Sequence, residues 1–280
     1  MTPTPQEHTS PQPEIPTMSV MDGERIVIAG MSGLYPESRS VKELSEILYN
    51  KVNLDNYNHP EVAQHAGTVP DLERFDAQFF KVHYRLGNTM DPMARKILEQ
   101  SYQAIYDAGL NPEQLSGKKV GVYIGTCFSE TEKACFYEAA NRSGFGIAGC
   151  SKTMFANRVS YWLNAKGPSM SIDEACCGST AALEQAYLAM SHGDCEAAIV
   201  GGAYLCLHPQ SSVHYGRLMK LCPDGKTKSF DENADGCAKS EAINVLVLQK
   251  AKDALRLVYS DADFDYTYIH LNNITRKNAH

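Results

Sequence analysis

The longest apolar run in the chain, Ala197 to Leu207, is 11 residues long and carries Gly201 and Gly202. A bilayer span needs ~20 consecutive apolar residues, so this run is too short to cross a membrane. Its length instead fits a strand covered on both faces of a sheet. Three shorter runs repeat the pattern: Arg25-Ile-Val-Ile-Ala-Gly30, Lys119-Val-Gly-Val-Tyr-Ile-Gly125 and Ile243-Asn-Val-Leu-Val-Leu248. Helical spacing separates them. Val41, Leu44, Ile47 and Leu48 share one face of a segment from Val41 to Asn50. The clearest helix begins at Asp91, a capping residue followed by Pro92 in the first turn, carries Met93, Ile97, Leu98, Ala104 and Ile105, and closes at Gly109. Asn111 to Leu115 adds a short helical turn, and Ser129–Ala140, Thr153–Leu163, Ser211–Met219 and Lys250–Leu257 read as further helices. A last short strand is expected at Thr267–Leu271. Strands alternating with helices predict an α/β layered fold around a largely buried sheet.

Composition narrows the classes. Among 280 residues, 43% are hydrophobic and the net charge is −7, with no basic run of five or more. A nucleic-acid binder needs a basic face, so no nucleic-acid partner is expected. Residues 1–20 hold five of the 13 prolines among Thr, Ser, Gln and Glu, and are expected to form a disordered, Pro-rich tail. That polar start is unlike a secretory signal. The nine cysteines are odd in number and contain no C-x-x-C pair, which fits reduced thiols and a cytoplasmic location better than a disulfide frame.

The chemistry concentrates at one join. Ser169-Met-Ser-Ile-Asp-Glu174 alternates like a strand, Ser179 to about His192 reads as a small-residue helix, and Cys176 and Cys177 lie between them, followed by Gly178. A cysteine at a strand-to-helix turn faces unpaired N–H groups and the positive end of the helix dipole, which favours a nucleophilic thiolate. Spacing alone does not choose between the two cysteines, and both could equally be buried filler. Other features are weaker. Gly30-Met-Ser-Gly33 reads as a turn ending the first strand, able to approach a phosphate but lacking the lysine of a phosphate loop. Gly144-Phe-Gly-Ile-Ala-Gly149 fits G-x-G-x-x-G but follows a polar helical stretch rather than a strand, so no nicotinamide site is assigned there. His192, Cys195, Cys206 and His208 are acceptable zinc ligands by type, but Cys206 and His208 alternate within an apolar strand; no metal site is assigned.

Asp173-Glu-Ala-Cys-Cys-Gly-Ser179 resembles the D-T-A-C-S-S-S nucleophile turn of β-ketoacyl synthases. The flanks agree in order: Val27-Ile-Ala-Gly-Met-Ser-Gly33, Phe75-Asp-Ala-Gln-Phe-Phe80, Met90-Asp-Pro92, Ala156-Asn-Arg158, Gly167-Pro-Ser169, Ala198-Ile-Val-Gly-Gly202 and Ser229-Phe-Asp231. Details such as Thr89-Met-Asp-Pro92 and Lys239-Ser-Glu241 are most similar to the synthase of an animal, insect-like fatty acid synthase. The resemblance implies a thiolase-like fold, mainly its N-terminal half. It places a disordered tail at 1–20, the synthase N-terminal region at 21–252, and the truncated start of the C-terminal region at 253–280. It implies that Cys176, by position, takes an acyl group from the phosphopantetheine arm of an acyl carrier protein domain, for decarboxylative condensation with a malonyl-carrier. Backbone N–H groups around Cys176 would hold the oxyanion. It also implies homodimerisation in the full protein and no bound cofactor here, NADPH serving other domains of such a synthase.

The sequence departs from the family in several places. The family's two histidine motifs, E-A-H-G-T-G-T and N-I-G-H, do not occur, and none of the nine histidines matches them. Glu174 stands where the family has threonine and would oppose thiolate formation if it faced Cys176. Gly178 replaces a serine. In the family's G-Y-x-R-x-E-G segment, Gly236-Cys-Ala-Lys-Ser-Glu-Ala242 keeps Gly236 and Glu241 and lacks the tyrosine, the arginine and the last glycine. These departures motivate an alternative: a catalytically incomplete synthase-like protein that binds an acyl carrier or a full-length partner.

Overall fold

A computed structural model describes residues 23–52, 66–137, 144–218 and 221–258. The Pro-rich segment 1–20, the strand expected at Thr267–Leu271 and most of 253–280 lie outside the described residues. Five strands form the main sheet: β1 (Ile26–Leu34), β3 (Val120–Gly125), β4 (Ser169–Ile172), β5 (Ala197–Tyr204) and β7 (Ala242–Lys250), in the order β1-β7-β5-β3-β4. A second, two-stranded sheet pairs β2 (Ala66–Gly67) with β6 (Lys239–Ser240). The helices are α1 (Val41–Tyr49), α2 (Tyr84–Thr89), α3 (Pro92–Asp107), α4 (Pro112–Leu115), α5 (Glu130–Tyr137), α6 (Gly146–Cys150), α7 (Thr153–Leu163), α8 (Gly178–His192), α9 (Pro209–Leu218) and α10 (Ala251–Val258).

The apolar runs become strands covered on both sides. In β3, Val122 and Ile124 join one core with Ile97, Leu98 and Ile105 of α3 and Phe155 and Val159 of α7. Tyr123, between them, points to the other core with Ala182, Ala186 and Met190 of α8. Ile199 and Val200 of β5 divide in the same way. Helix α3 starts as expected: Met93 N–H donates to the Asp91 carboxylate at 2.7 Å, with Pro92 in the first turn.

One reading is corrected. Gly30-Met-Ser-Gly33 is not a turn: β1 runs through it to Leu34, paired antiparallel with β7 from Gly30–Val247 to Leu34–Ile243 after a bulge at Ala29. The glycine at 30 serves packing instead, since a Cβ there would lie 2.3 Å from the Ala104 carbonyl oxygen of α3. The short helix α2, which no sequence pattern announced, lies just before α3.

The sheet is mixed. β4, β3 and β5 are parallel, whereas β7 runs antiparallel to both β5 and β1. Gly125 is opposite both Ile172 and Gly202, and Gly202 is opposite Asn244. The C-terminal ends of three parallel strands and the start of β7 therefore meet at one edge. In open α/β sheets, ligands bind outside the carboxyl ends of the strands.

Candidate active site

The join between β4 and α8 is built of three consecutive devices. After Ile172 the chain leaves the sheet, and Ala175 takes a left-handed φ of 46°. Ala175–Cys177 forms one 3-10 turn, closed by Cys177 N–H donating to the Glu174 carbonyl at 2.9 Å. Helix α8 then begins at Gly178, one residue earlier than the sequence suggested. A non-glycine residue in the left-handed region costs of order 1 kcal/mol and persists only where surrounding structure enforces it. Here the first turn of α8 is pressed against the end of β3. A Cβ on Gly125 would lie 2.3 Å from the Gly178 carbonyl carbon and 2.5 Å from Ser179 N, so only glycine allows this approach.

Polar contacts brace the turn. Thr126 N–H donates to the Ile172 carbonyl at 3.0 Å. The Lys152 ammonium donates to the Asp173 carboxylate at 2.6 Å and to the Cys127 carbonyl at 3.1 Å, tying together the segments that follow β4 and β3. That lysine holds Asp173 below the usual carboxylate range.

A pocket of about 420 Å³ opens at this edge. The ends of β3 and β5, Cys176, Tyr204, Tyr215 and Lys239 all line it. The two adjacent cysteines are thereby distinguished: both are exposed, but Cys176 lines the pocket and Cys177 does not. Cys127 and Cys237 also border it. Burial and the neighbouring Asp173 push the Cys127 thiol up, away from thiolate, with Lys152 opposing. Glu174 is exposed and is not part of the lining.

Behind the pocket, buried Glu241 joins distant segments. Its carboxylate accepts from Val69 N–H at 2.7 Å and from Cys206 N–H at 2.8 Å, and burial raises its pKa. This fixes β6, and with it Lys239, beside β5. In the sequence Lys239 stood where the family segment has arginine and belonged to the Lys239-Ser-Glu241 resemblance, with no place in the site. Tyr204 and Tyr215 carried no motif and were missed. No group of three or more metal-ligating side chains gathers among the described residues, and His192, Cys195, Cys206 and His208 are not brought together. Gly146 and Gly149 of the G-x-G-x-x-G segment lie in α6, where a Cβ on Gly149 would sit 3.3 Å from the Met90 backbone.

Comparison with known proteins agrees with this geometry. Residues 23–254 match the N-terminal domain of β-ketoacyl synthases. The chain is 43% identical over 241 residues to a goose (Anser anser anser) fatty acid synthase, covering 84% of this chain and 68% of that one. It is 33% identical over 273 residues to the polyketide synthase PksL of Bacillus subtilis, covering 91% of this chain but 6% of PksL. Among solved structures it superposes on the ketosynthase from module 6 of the Bacillus subtilis bacillaene synthase with a TM-score of 0.73 at 35% identity, over 87% of this chain and 42% of that one. An oxazolomycin ketosynthase domain from Streptomyces albus gives a TM-score of 0.75 at 26% identity, over 86% of this chain and 44% of that one. The fold is thus thiolase-like, and the chain spans less than half of these ketosynthase structures. By its matched domain, its fold and its relatives, the chain belongs to the β-ketoacyl synthase family.

Proposed function

We propose that the chain is the nucleophile-bearing part of the condensing unit of a fatty acid synthase, and that Cys176 is its acyl acceptor. One observation carries the reading: of the two cysteines on the 3-10 turn, Cys176 alone lines the pocket at the carboxyl edge of the sheet. In the proposed step the Cys176 thiolate attacks the carbonyl of an acyl thioester on the phosphopantetheine arm of an acyl carrier. A carbon–sulfur bond forms to Cys176, and the bond to the arm breaks and releases its thiolate. Cys177 N–H is committed to the Glu174 carbonyl and Gly178 N–H to the Ala175 carbonyl, which leaves the Cys176 N–H as the backbone donor for the oxyanion. The fatty acid rather than polyketide assignment is supported by the 43% identity to the goose enzyme and by Lys239-Ser-Glu241.

The second half of the reaction, loss of carbon dioxide from a malonyl group and attack of its carbanion on the thioester, needs the two family histidines. No histidine lines the pocket among the described residues. The 280-residue chain by itself is therefore proposed to accept an acyl group without forming condensation product. The nine free thiols support a reducing, cytoplasmic setting. Strand β4, paired only with β3 among the described residues and bearing exposed Met170, suits pairing with a second copy in a homodimer. The test is incubation with an acyl N-acetylcysteamine thioester and mass-spectrometric mapping. Acylation at Cys176, abolished in Cys176→Ala and retained in Cys177→Ala, supports the assignment. An acyl group found instead on Cys177, Cys127 or Cys237 defeats it, and condensation product from the chain alone would defeat the restriction to acylation.

A further inference from the structure

Two buried thiols, Cys135 and Cys150, take no part in the proposed reaction. Cys135 lies on α5 and Cys150 ends α6, and they are 8% and 1% exposed. A Cβ on Gly146 would sit 2.9 Å from the Cys135 sulfur, so that sulfur rests on the face of α6 that carries position 146. Residues four apart on a helix share a face, with about 5–6 Å between their Cβ atoms, and Cys150 is the fourth residue after Gly146. The Cys150 thiol shares a hydrogen bond with Cys135 and donates another to the Thr89 carbonyl at 3.2 Å. Both helices are anchored at Asp91. Its carboxylate accepts from the Ser129 hydroxyl, whose oxygen in turn accepts from Glu132 N–H of α5 at 2.9 Å. Its backbone N–H donates to the Gly149 carbonyl of α6 at 3.1 Å. The frame thus holds the two sulfurs against each other. The pair belongs to no group of three or more metal-ligating side chains among the described residues.

We propose that Cys135 and Cys150 form a redox-sensitive pair that closes to an intramolecular disulfide on oxidation by a low-molecular-weight disulfide, fastening α5 to α6. Cys135, the less deeply buried, attacks one sulfur of the oxidant R–S–S–R. A bond forms between Cys135 and that sulfur, the oxidant's own S–S bond breaks, and the first R–SH leaves with the proton. The Cys150 sulfur then attacks the Cys135 sulfur, the mixed disulfide breaks, and the second R–SH leaves as the Cys135–Cys150 bond forms. The pair gives up two hydrogens and two electrons, and the oxidant takes both. The second step is intramolecular, and contact between the sulfurs favours it. Burial and the adjacent Cys135 push the Cys150 thiol up to about 12, with Asp91 and Glu132 adding to the rise. Both groups therefore rest as thiols in a reducing setting, and the exchange is slow. Closing the loop from 135 to 150 removes conformational freedom from the unfolded chain. Helix α5 also bears on the site. Glu130 at its start accepts from His208 N–H at 2.6 Å through one oxygen, while its other oxygen has no hydrogen-bond partner among the described residues. His208 leads into α9, whose Tyr215 lines the pocket. The inference does not depend on the role of Cys176.

The experiment incubates the folded 280-residue chain with oxidised glutathione, blocks remaining thiols with N-ethylmaleimide in urea, and maps the peptides by mass spectrometry without reduction. The dose is set by exposed Cys177, which must carry glutathione before the pair is scored. The expected product is a Cys135 peptide joined to a Cys150 peptide, lighter by two hydrogens than the two thiol peptides together and lost on adding dithiothreitol. The crosslinked chain should unfold at a higher urea concentration than the reduced chain. Cys150→Ala should leave Cys135 as a thiol or a glutathione adduct. Recovery of Cys135 and Cys150 as maleimide adducts overturns the inference, and so does either of them joined to a different cysteine. A Cys135–Cys150 crosslink that leaves the urea midpoint where it was overturns the fastening of α5 to α6. Should Cys150→Ala fail to fold, Cys135→Ala takes its place, with Cys150 then expected as a thiol or a glutathione adduct, and the crosslink in the parent still decides.

Discussion

Replacing Gly125 by alanine tests whether the contact between β3 and α8 sets the position of the site thiol. The added Cβ would lie 2.3 Å from the Gly178 carbonyl carbon, 2.4 Å from its oxygen and 2.5 Å from Ser179 N. All three are backbone atoms, so no side chain can rotate aside. Restoring ordinary van der Waals separation requires the first turn of α8 to retreat by about 1 Å, and Cys176, immediately before that turn, moves with it. Overpacking of this kind costs about 1–3 kcal/mol of stability. A displacement of about 1 Å at a reacting group costs about 100-fold in rate, or about 2.7 kcal/mol of transition-state stabilisation. Two assays read the two effects: urea denaturation for stability, and acyl transfer to Cys176 from an N-acetylcysteamine thioester for rate. Gly144→Ala is the control, because a Cβ there meets nothing within 4 Å. If Gly125→Ala folds and acylates within about threefold of the parent, the argument that glycine is required at this approach is wrong.

Other perturbations probe the frame. Burial pushes Asp91 up from 3.8 to about 6, so the folded state binds its proton more tightly than the unfolded chain does. Its contribution is full below about pH 4 and is lost as the pH rises through about 6, by roughly 2–3 kcal/mol. Asp91→Asn keeps an acceptor for Met93 N–H and should flatten that slope in urea titrations between pH 4 and 7, and an unchanged slope would assign it elsewhere. Glu241→Gln turns one of two accepting oxygens into a donor facing a backbone N–H, and should lower stability by about 2–3 kcal/mol in urea denaturation. Ile97, fully buried between α3 and the sheet, should cost about 2–5 kcal/mol as alanine by the same measure.

What was legible in the sequence was what neighbouring residues determine among themselves. Asp91, Pro92 and the spacing of Met93, Ile97, Leu98, Ala104 and Ile105 specify α3 because caps and helical periodicity act over a few residues. The apolar runs specify buried strands for the same reason, and the ordered motifs around Cys176 pointed to the family before any contact was known. Tertiary structure decided what depends on residues far apart in the chain. The run Gly30–Gly33 looked like a turn because two glycines lie close together, but its pairing partner, Val247 to Ile243, lies more than two hundred residues away. Spacing could not choose Cys176 over Cys177. That distinction arises because a 3-10 turn rotates adjacent side chains apart and a pocket lies on one side only. Lys239 left a usable sign, a basic residue where the family segment has arginine. Its place between Tyr204 and Tyr215, on the lining of the pocket that Cys176 also borders, exists only once β5, α9 and β6 converge on the edge where the parallel strands end. Local interactions chose the elements, while close packing of distant ones, where a single Cβ at Gly125 decides the fit, made the site.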